Sequence, residues 1–461
     1  MHRNLTLILL LGCSLVFSNC SSGTKKSDPT LESFAAGEHY IHELTGDLQV
    51  HRFQLKNKLM LLVLEDHRSP TVAYQTWFKV GSRDEVPGKT GLAHLFEHLM
   101  FKATRNHPAG DFDRILQLAG AEDLNAFTSR DFTAYVQEVP SDQLELLMQL
   151  ESDRMVGLEV NDTTFSSERE VVQNERRYRT ENSPEGLIEQ ELFELAFKTQ
   201  SYRWPVIGYE ADLTAMKSQD ARDFYLRHYS PDHATIVVVG DVSASAVYAL
   251  AKKYYEAVPA HNGETTRLPT QTESTHLSPL RKKLSLNIQV ERLMLGYPMP
   301  PIQSPDLPAL WVLQNILVGG KSARLNRALV NSGIAQTVGG GTLEGIDASL
   351  FIFSVPLQKD KRASQAEAVV LRELSLLQKT PVGEEELERA KNEIEFEFYE
   401  SLDTNSERAN FIGQSESLTG SFEKSLQTHK LVKTVQASDL QRVVQKYFQP
   451  SLRTVITGVP K

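Results

Sequence analysis

Between Gly91 and Phe101 the chain reads GLAHLFEHLMF, in which His94, Glu97 and His98 are the side chains able to do chemistry. At about 100° per residue, His94 and His98 stand roughly 40° apart around a helix and one turn apart along it, so both imidazoles can grip one ion. Glu97 lies about 60° to the other side of His94, which puts a carboxylate beside that ion. The order H-x-x-E-H suits metal-assisted hydrolysis, in which zinc lowers the pKa of a bound water and the glutamate takes its proton. Leu95, Phe96, Leu99 and Met100 would pack the helix and keep the site dry. The competing reading is a helix with two surface histidines and a surface glutamate. A catalytic zinc commonly has three protein ligands and an open position, so a third donor must lie elsewhere. Glu168 and Glu175 are candidates, because seven residues span about 700° and leave both on one helix face within about 20°. Spacing does not choose between them, and Arg169, Glu170, Arg176 and Arg177 also suit a solvated charged face.

These residues need elements to hold them. Residues 53–64 and 72–80 are rich in Val, Leu, Phe and Tyr with partial alternation and predict strands of a sheet with a helix-covered face. The period then changes to helix over 92–101, returns to strand over 132–139, and becomes helical again over 141–155. A further helix is predicted over 165–179, opened by the capping side chains of Asn161 to Thr164. Residues 235–239, closed by Gly240-Asp241, read as a buried strand, with a helix over 244–257. The stretch 258–285, rich in Pro, Thr, Ser, Gln and His, reads as an interdomain linker.

The chain after this linker echoes the chain before it. Val355-Pro356 ends a strand as Val139-Pro140 does, and each is followed by two helices. Glu168 and Glu175 recur as Glu386 and Glu393 at one offset of 218 residues, and that offset carries 94, 97 and 98 onto Val312, Asn315 and Ile316. A duplicated α+β domain follows, with a chance alignment of common helix patterns as the alternative.

Composition narrows the function. With 461 residues, 40% hydrophobic and 23% charged, the chain can bury a sizeable core in two or more domains. A net charge of −10 argues against a nucleic-acid partner, since no positive excess exists to replace phosphate counterions. The one strongly apolar run, 5–17 after His2 and Arg3, is shorter than the roughly 20 residues a spanning helix needs and reads as an export signal. Both cysteines, Cys13 and Cys20, lie in or beside it, so the body has no disulfide and no cysteine chemistry. Cys20, followed by a polar stretch, resembles the lipidated cysteine of a bacterial lipoprotein signal. Cys13 after Leu10-Leu11-Gly12 is the alternative, as is an ordinary secretory signal. Gly319-Gly320-Lys321-Ser322 imitates a phosphate loop but has Asn315 where a glycine is required, so it reads as a helix-ending turn.

From about Phe53 onward the sequence resembles the pitrilysin/insulinase family of zinc peptidases, particularly its short two-domain bacterial and mitochondrial-processing-type members. The segment Val80-Gly81-Ser82-Arg83-Asp84-Glu85 through Gly88-Lys89-Thr90-Gly91 into His94, Glu97 and His98 carries the resemblance most strongly. The resemblance implies that one Zn2+ per chain is held by His94, His98 and Glu175, the glutamate about 77 residues past the second histidine. It implies that Glu168 orients the site from behind the ligands and that Glu97 is the general base. Asn125-Ala126-Phe127-Thr128 resembles the edge strand to which peptide substrates add, with Asn125 and Ala126 holding substrate backbone. The implied fold is α+β, with two homologous domains, each a mixed or antiparallel sheet covered by helices, facing each other across a chamber.

The expected organisation is a lipoprotein-type signal at 1–20, a polar tether at 21–45, the zinc-binding domain at 46–257, the linker at 258–285 and a degenerate domain at 286–461. One departure matters: the Arg and Tyr that active single-chain relatives carry seven apart are Leu329 and Gln336 here. That tyrosine helps stabilise the oxyanion, so the expectation is a heterodimer with a homologous subunit that supplies the pair. A homodimer, or a lone chain using another donor such as Tyr135, is the alternative. The whole reading is an exported zinc endopeptidase acting on extended oligopeptides or unfolded segments, held at a periplasm-facing membrane by its lipid anchor alone, with a soluble periplasmic or secreted form as the alternative. A non-catalytic scaffold of the same family is the competing function.

Overall fold

The structure, a computed structural model, describes residues 39–260, Glu273 and 278–461. Cys13, Cys20, the expected export signal and most of the expected tether lie outside the described residues. Residues 36–461 form one compact unit.

The first half runs β1 (His39–Thr45), β2 (Leu48–Gln54), β3 (Met60–Glu65), β4 (Thr71–Phe78), α1 (Leu92–Leu99), α2 (Asp111–Leu118), β5 (Glu122–Thr128), β6 (Thr133–Pro140), α3 (Leu144–Gly157), α4 (Asp162–Arg176), α5 (Pro184–Ala196), α6 (Glu210–Ala215), α7 (Ser218–His228), β7 (Ala234–Gly240) and α8 (Ala244–Tyr255). The second half runs β8 (Leu280–Leu286), β9 (Arg292–Met299), α9 (Leu307–Val318), β10 (Gly339–Thr342), β11 (Ser349–Pro356), α10 (Ala363–Lys379), α11 (Glu384–Glu400), α12 (Asn405–Thr419), α13 (Phe422–Val432), α14 (Ala437–Tyr447) and β12 (Thr454–Pro460).

Continuous apolar runs take the middle of each sheet, as both their faces are covered. Met60–Glu65 and Ala234–Gly240 pair in parallel at the centre of the first sheet, whose order is β1-β2-β3-β7-β4-β6-β5. The second sheet is ordered β8-β12-β9-β11-β10, with β8 and β12 parallel. Without the β1–β2 hairpin, the first order is the second one repeated strand for strand, and every other pairing in both is antiparallel. Such agreement of order and direction is the architecture of a duplicated α+β unit, each sheet carrying helices.

The halves exchange helices. α12 of the second half lies on β4 and β7 of the first, where Gln75 donates to Asn410 Oδ1 at 3.0 Å and to the Ser406 carbonyl at 3.2 Å. Gly413 is required there, since a Cβ would stand 2.1 Å from the Trp77 indole nitrogen. Arg52 grips Glu416 through two hydrogen bonds of 2.9 and 2.7 Å, and Arg408 donates to Asp66 at 2.8 Å. In return α5 of the first half covers β8, β9 and β12, packing Ile188, Leu192 and Phe193 against Leu286, Met294, Leu350, Ile352 and Ile456. One hydrophobic core therefore runs from Leu62 and Val237 through α12 to the helices of the second half.

Three expected boundaries shift. His39–Thr45, read as the end of the tether, is strand β1, because its partner Leu48–Gln54 supplies a ladder that alternating polar residues hide in the sequence. Residues 280–285, read as the end of the linker, belong to strand β8 (Leu280–Leu286), an edge strand with the exposed Arg281, Lys282 and Lys283 that edges favour. Residues 53–64 are two strands split by a turn at Leu55–Leu59, with Lys58 at φ 69°. Of the linker interior, Glu273 is described, and its carboxylate accepts from the amides of Lys198, Thr199 and Gln200 at 2.7–2.9 Å.

Candidate metal centre and peptide cleft

α1 starts abruptly at Gly91, whose φ of 96° suits glycine, and a Cβ there would meet the Ile207 carbonyl oxygen at 2.7 Å. The helix has no capping side chain at that residue. Instead the buried Glu85 carboxylate accepts from the Gly91 amide at 2.9 Å and from the Ala93 amide at 2.8 Å, satisfying two otherwise orphaned donors. Burial pushes the Glu85 carboxyl well above its usual range. The opposite face is fixed by Leu92, Leu95, Phe96 and Leu99, all buried, with Phe96 among Phe224, Tyr225 and Tyr229. The Tyr135 hydroxyl donates to the Phe96 carbonyl at 3.1 Å from beneath the helix.

What remains of α1 faces α4. His94 and His98 stand with ring centroids 5.0 Å apart, and Glu175 comes up to both: its Oε2 lies 3.6 Å from His94 Nε2 and 3.3 Å from His98 Nε2. These three residues are the one group among the described residues whose donor atoms gather as a metal site would need, within 4.8 Å of one another. Two imidazoles and a carboxylate suit zinc, and ligands of a tetrahedral zinc at about 2.0–2.1 Å stand roughly 3.3–3.5 Å apart. Burial pushes the His94 imidazole down to about 4, which keeps it neutral with a lone pair to offer. The hydrogen bond from His98, with the nearby His94 and Arg179, holds the Glu175 carboxyl below its usual range against the effect of burial. The donor set and spacing therefore fit the metal.

Glu168 stands one layer away. Its Oε2 lies 3.8 Å from His98 Nδ1, the nitrogen turned from Glu175, and its Oε1 lies 3.0 Å from Lys102 Nζ. Glu97 points into the cleft beside the histidines, with its Oε2 accepting from the Thr128 hydroxyl at 2.7 Å, and burial raises its carboxyl pKa. Three partners carried no signal in spacing alone: Thr128 on Glu97, Lys102 on Glu168, and Glu85 on the start of α1. Arg179, 3.0 Å from Glu175 Oε1, is four residues on from it, a spacing that could have been noticed.

The cleft, of about 540 Å³, is lined by residues numbered between 94 and 207, all from the first half. One wall is β5, the last strand of its sheet, paired on one side with β6 and with no strand on the other among the described residues. Asn125 and Ala126 both line the cleft, and the Asn125 side chain accepts from the Ala126 amide at 2.9 Å. The second half brings no donors to this place. Val312, Asn315 and Ile316 are buried in α9, and Glu386 is engaged by Arg324 at 2.9 Å. Leu329 is in the core and Gln336 is exposed, and neither lines the cleft. Tyr135 is corrected as a substitute oxyanion donor, because its hydroxyl is committed to α1 from the buried side.

Comparison with known proteins now adds to this geometry. Residues 61–209 match the model of the insulinase family (peptidase family M16), and residues 215–394 match that of the peptidase M16 inactive domain. The chain is 29% identical over 410 residues to zinc protease PqqE of Helicobacter pylori, covering 87% of this chain and 91% of that one. It is 24% identical over 397 residues to the uncharacterized zinc protease YmxG of Bacillus subtilis, covering 86% and 94%. The crystal structure of a protease from Helicobacter pylori superposes with a TM-score of 0.86 at 28% identity, over 91% of this chain and 100% of that one. The periplasmic protease PqqL of Escherichia coli shares the fold, with a TM-score of 0.73 at 20% identity over 92% of this chain and 48% of its own. With two consecutive M16 models spanning 61–394 and zinc proteases as full-length relatives, the chain belongs to the pitrilysin/insulinase (M16) family of peptidases.

Proposed function

We propose that this member is a zinc-dependent endopeptidase that hydrolyses extended oligopeptides or unfolded segments. The observation that carries this reading is the convergence of His94, His98 and Glu175 beside Glu97, with His94 and Glu97 lining a cleft walled by a strand edge that is unpaired among the described residues. A bound zinc ion would polarise the scissile carbonyl and lower the pKa of a water. His94, His98 and Glu175 would hold the ion, and Glu168 would orient the ring of His98 from the side of its other nitrogen. Glu97 takes the proton of the attacking water and passes it to the leaving amine, with the Thr128 hydroxyl holding its carboxylate in place. Substrate backbone pairs with β5 at Asn125 and Ala126, which fixes an extended peptide across the site.

Leu329 and Gln336, at the positions of the missing Arg/Tyr pair, bring no oxyanion donor to the cleft. We assign that donor to a homologous subunit in a heterodimer, with a homodimer as the alternative. Loss of the pair is also the observation that favours the second reading, a non-catalytic scaffold. For location we propose export and anchoring through a lipid on Cys20. Among the described residues no helix is long and apolar enough to cross a membrane.

The test is Glu97→Gln. Zinc content should stay near one per chain while hydrolysis of a quenched peptide falls by orders of magnitude. Undiminished hydrolysis in this variant would remove Glu97 from the mechanism, and a parent protein that binds no zinc would defeat the peptidase reading altogether.

A further inference from the structure

Just past the end of β5, two residues beyond Thr128, the cleft holds a cation that the hydrolytic mechanism does not use. The Arg130 guanidinium lies over the Phe193 ring, its central carbon 3.9 Å from the ring centroid, with the Tyr202 ring centroid at 5.9 Å. Among the described residues its side chain makes no hydrogen bond and no ion pair, and its Nε is buried without a partner. Glu189 lines the same cleft, yet the two form no ion pair within 4.0 Å. Glu189 and Asp131 act on the cation only through space, and its buried Nε is left unsatisfied, which is costly, so such a group in a cleft calls for a reason.

The backbone around it is held firmly. The Arg130 carbonyl accepts from the Arg83 amide at 2.8 Å, and Gly81 approaches so closely that a Cβ would stand 2.5 Å from that carbonyl. Phe193, the platform, is only 2% exposed and belongs to the core beneath the second sheet. The contact with Phe193 holds the fork in place and leaves its N–H groups without a protein partner among the described residues. A planar fork of this kind matches a carboxylate through two parallel hydrogen bonds.

We propose that Arg130 is a specificity-determining residue that receives a carboxylate of the bound peptide, so that the cleft selects segments with an acidic group beside the scissile bond. The inference rests on the reading of this cleft as a peptide site. The carboxylate is that of an Asp or Glu side chain or of a free C terminus, and the experiment separates these sources.

Peptides of one parent sequence carry Glu or Gln at each position within three residues of the scissile bond, with a free or amidated C terminus. Their binding is measured by fluorescence anisotropy to the zinc-loaded full-length Glu97→Gln chain, which cannot turn them over. One carboxylate position should strengthen binding about tenfold or more over its neutral counterpart, as a charged hydrogen bond does. That ratio should fall toward one when Arg130→Gln is added and take an intermediate value with Arg130→Lys, which keeps the charge but loses the fork. Because the ratio is the readout, a general loss of affinity cancels, and if Arg130→Gln fails to fold the lysine variant carries the test. A preference located at an internal position assigns the side chain as the source, and one abolished by amidation assigns the C terminus. Equal binding of every acidic and neutral pair, a ratio untouched by either substitution, or no binding of any peptide would overturn the inference. The peptidase reading is judged separately, by whether the zinc-loaded parent cleaves any of the set.

Discussion

Glu85 touches no proposed ligand, yet the geometry makes α1 depend on it. Glu85→Ala would remove both acceptors from the amides of Gly91 and Ala93 at the buried start of the helix. Each buried donor left without a partner costs about 1–3 kcal/mol, so the loss should be about 2–6 kcal/mol before any water enters the gap. That is a large part of the roughly 5–15 kcal/mol that holds a domain together. Glu85→Gln provides a finer test. Its single oxygen can serve one amide, but its NH2 group would face the other, so about half the penalty should remain. Asp84 and Asp212 raise the Glu85 carboxyl further, and relief of that repulsion tempers the effect of the neutral side chain. Urea unfolding should rank parent, Glu85→Gln and Glu85→Ala in falling order, with hydrogen exchange at Gly91 and Ala93 accelerating in the same order. A Glu85→Ala protein within about 0.5 kcal/mol of the parent, with unchanged exchange at those amides, would refute the reasoning.

Glu175→Gln should cut zinc affinity sharply, whereas Glu168→Gln should weaken it about 10- to 100-fold through the ring of His98; a titration that reversed this order would reassign the third ligand. The purified chain should bind zinc yet cleave peptides slowly, and the homologous subunit should raise hydrolysis about 100-fold or more, since an oxyanion donor contributes about 2.7–4 kcal/mol; a fast enzyme indifferent to any homologous chain would defeat that assignment. Burial would raise the Asp306 carboxyl, but hydrogen bonds from Lys446, Tyr447 and Arg442 hold it down at about 2. This depressed folded-state pKa gives stability that is present above about pH 4 and lost as pH falls toward 2, roughly 1–2 kcal/mol after solvent screening of the half-exposed Arg442 and Lys446. The stability gap between parent and Asp306→Asn should therefore close between pH 4 and pH 2, and a gap that widened there would contradict the sign.

What the sequence could convey followed from what is periodic. The helical pattern around His94 and His98 survives translation into structure because α1 is amphipathic, with one face buried and one face on the cleft. The duplication was legible as a faint offset, and the two sheet orders display it far more fully than the 218-residue match of two glutamates. Glu168 and Glu175 could not be told apart on a wheel, since the difference is position along the helix: Glu175 reaches the Nε2 atoms, and Glu168 lies a turn pair away against His98 Nδ1 and Lys102. Contacts between residues far apart in sequence left no trace at all. Phe193 under Arg130 and α12 on β4 each depend on long-range packing that local pattern does not encode. β1 was missed because its alternating polar residues look like a tether until a partner strand is placed beside them.

The exchange of α5 and α12 bears on how such a chain can be made. The first sheet keeps Ala73, Trp77, Val237 and Val239 uncovered until Asn405–Thr419 has arrived, more than 160 residues after β7 ends. Contacts of such long range form late and leave apolar surface open meanwhile. The half with the histidines is therefore expected to complete its core only once the far end of the chain has been made. A stop codon placed in the linker should yield an aggregating fragment rather than a smaller peptidase. The half that brings no donors to the metal centre thus carries the helix that completes its sister's core.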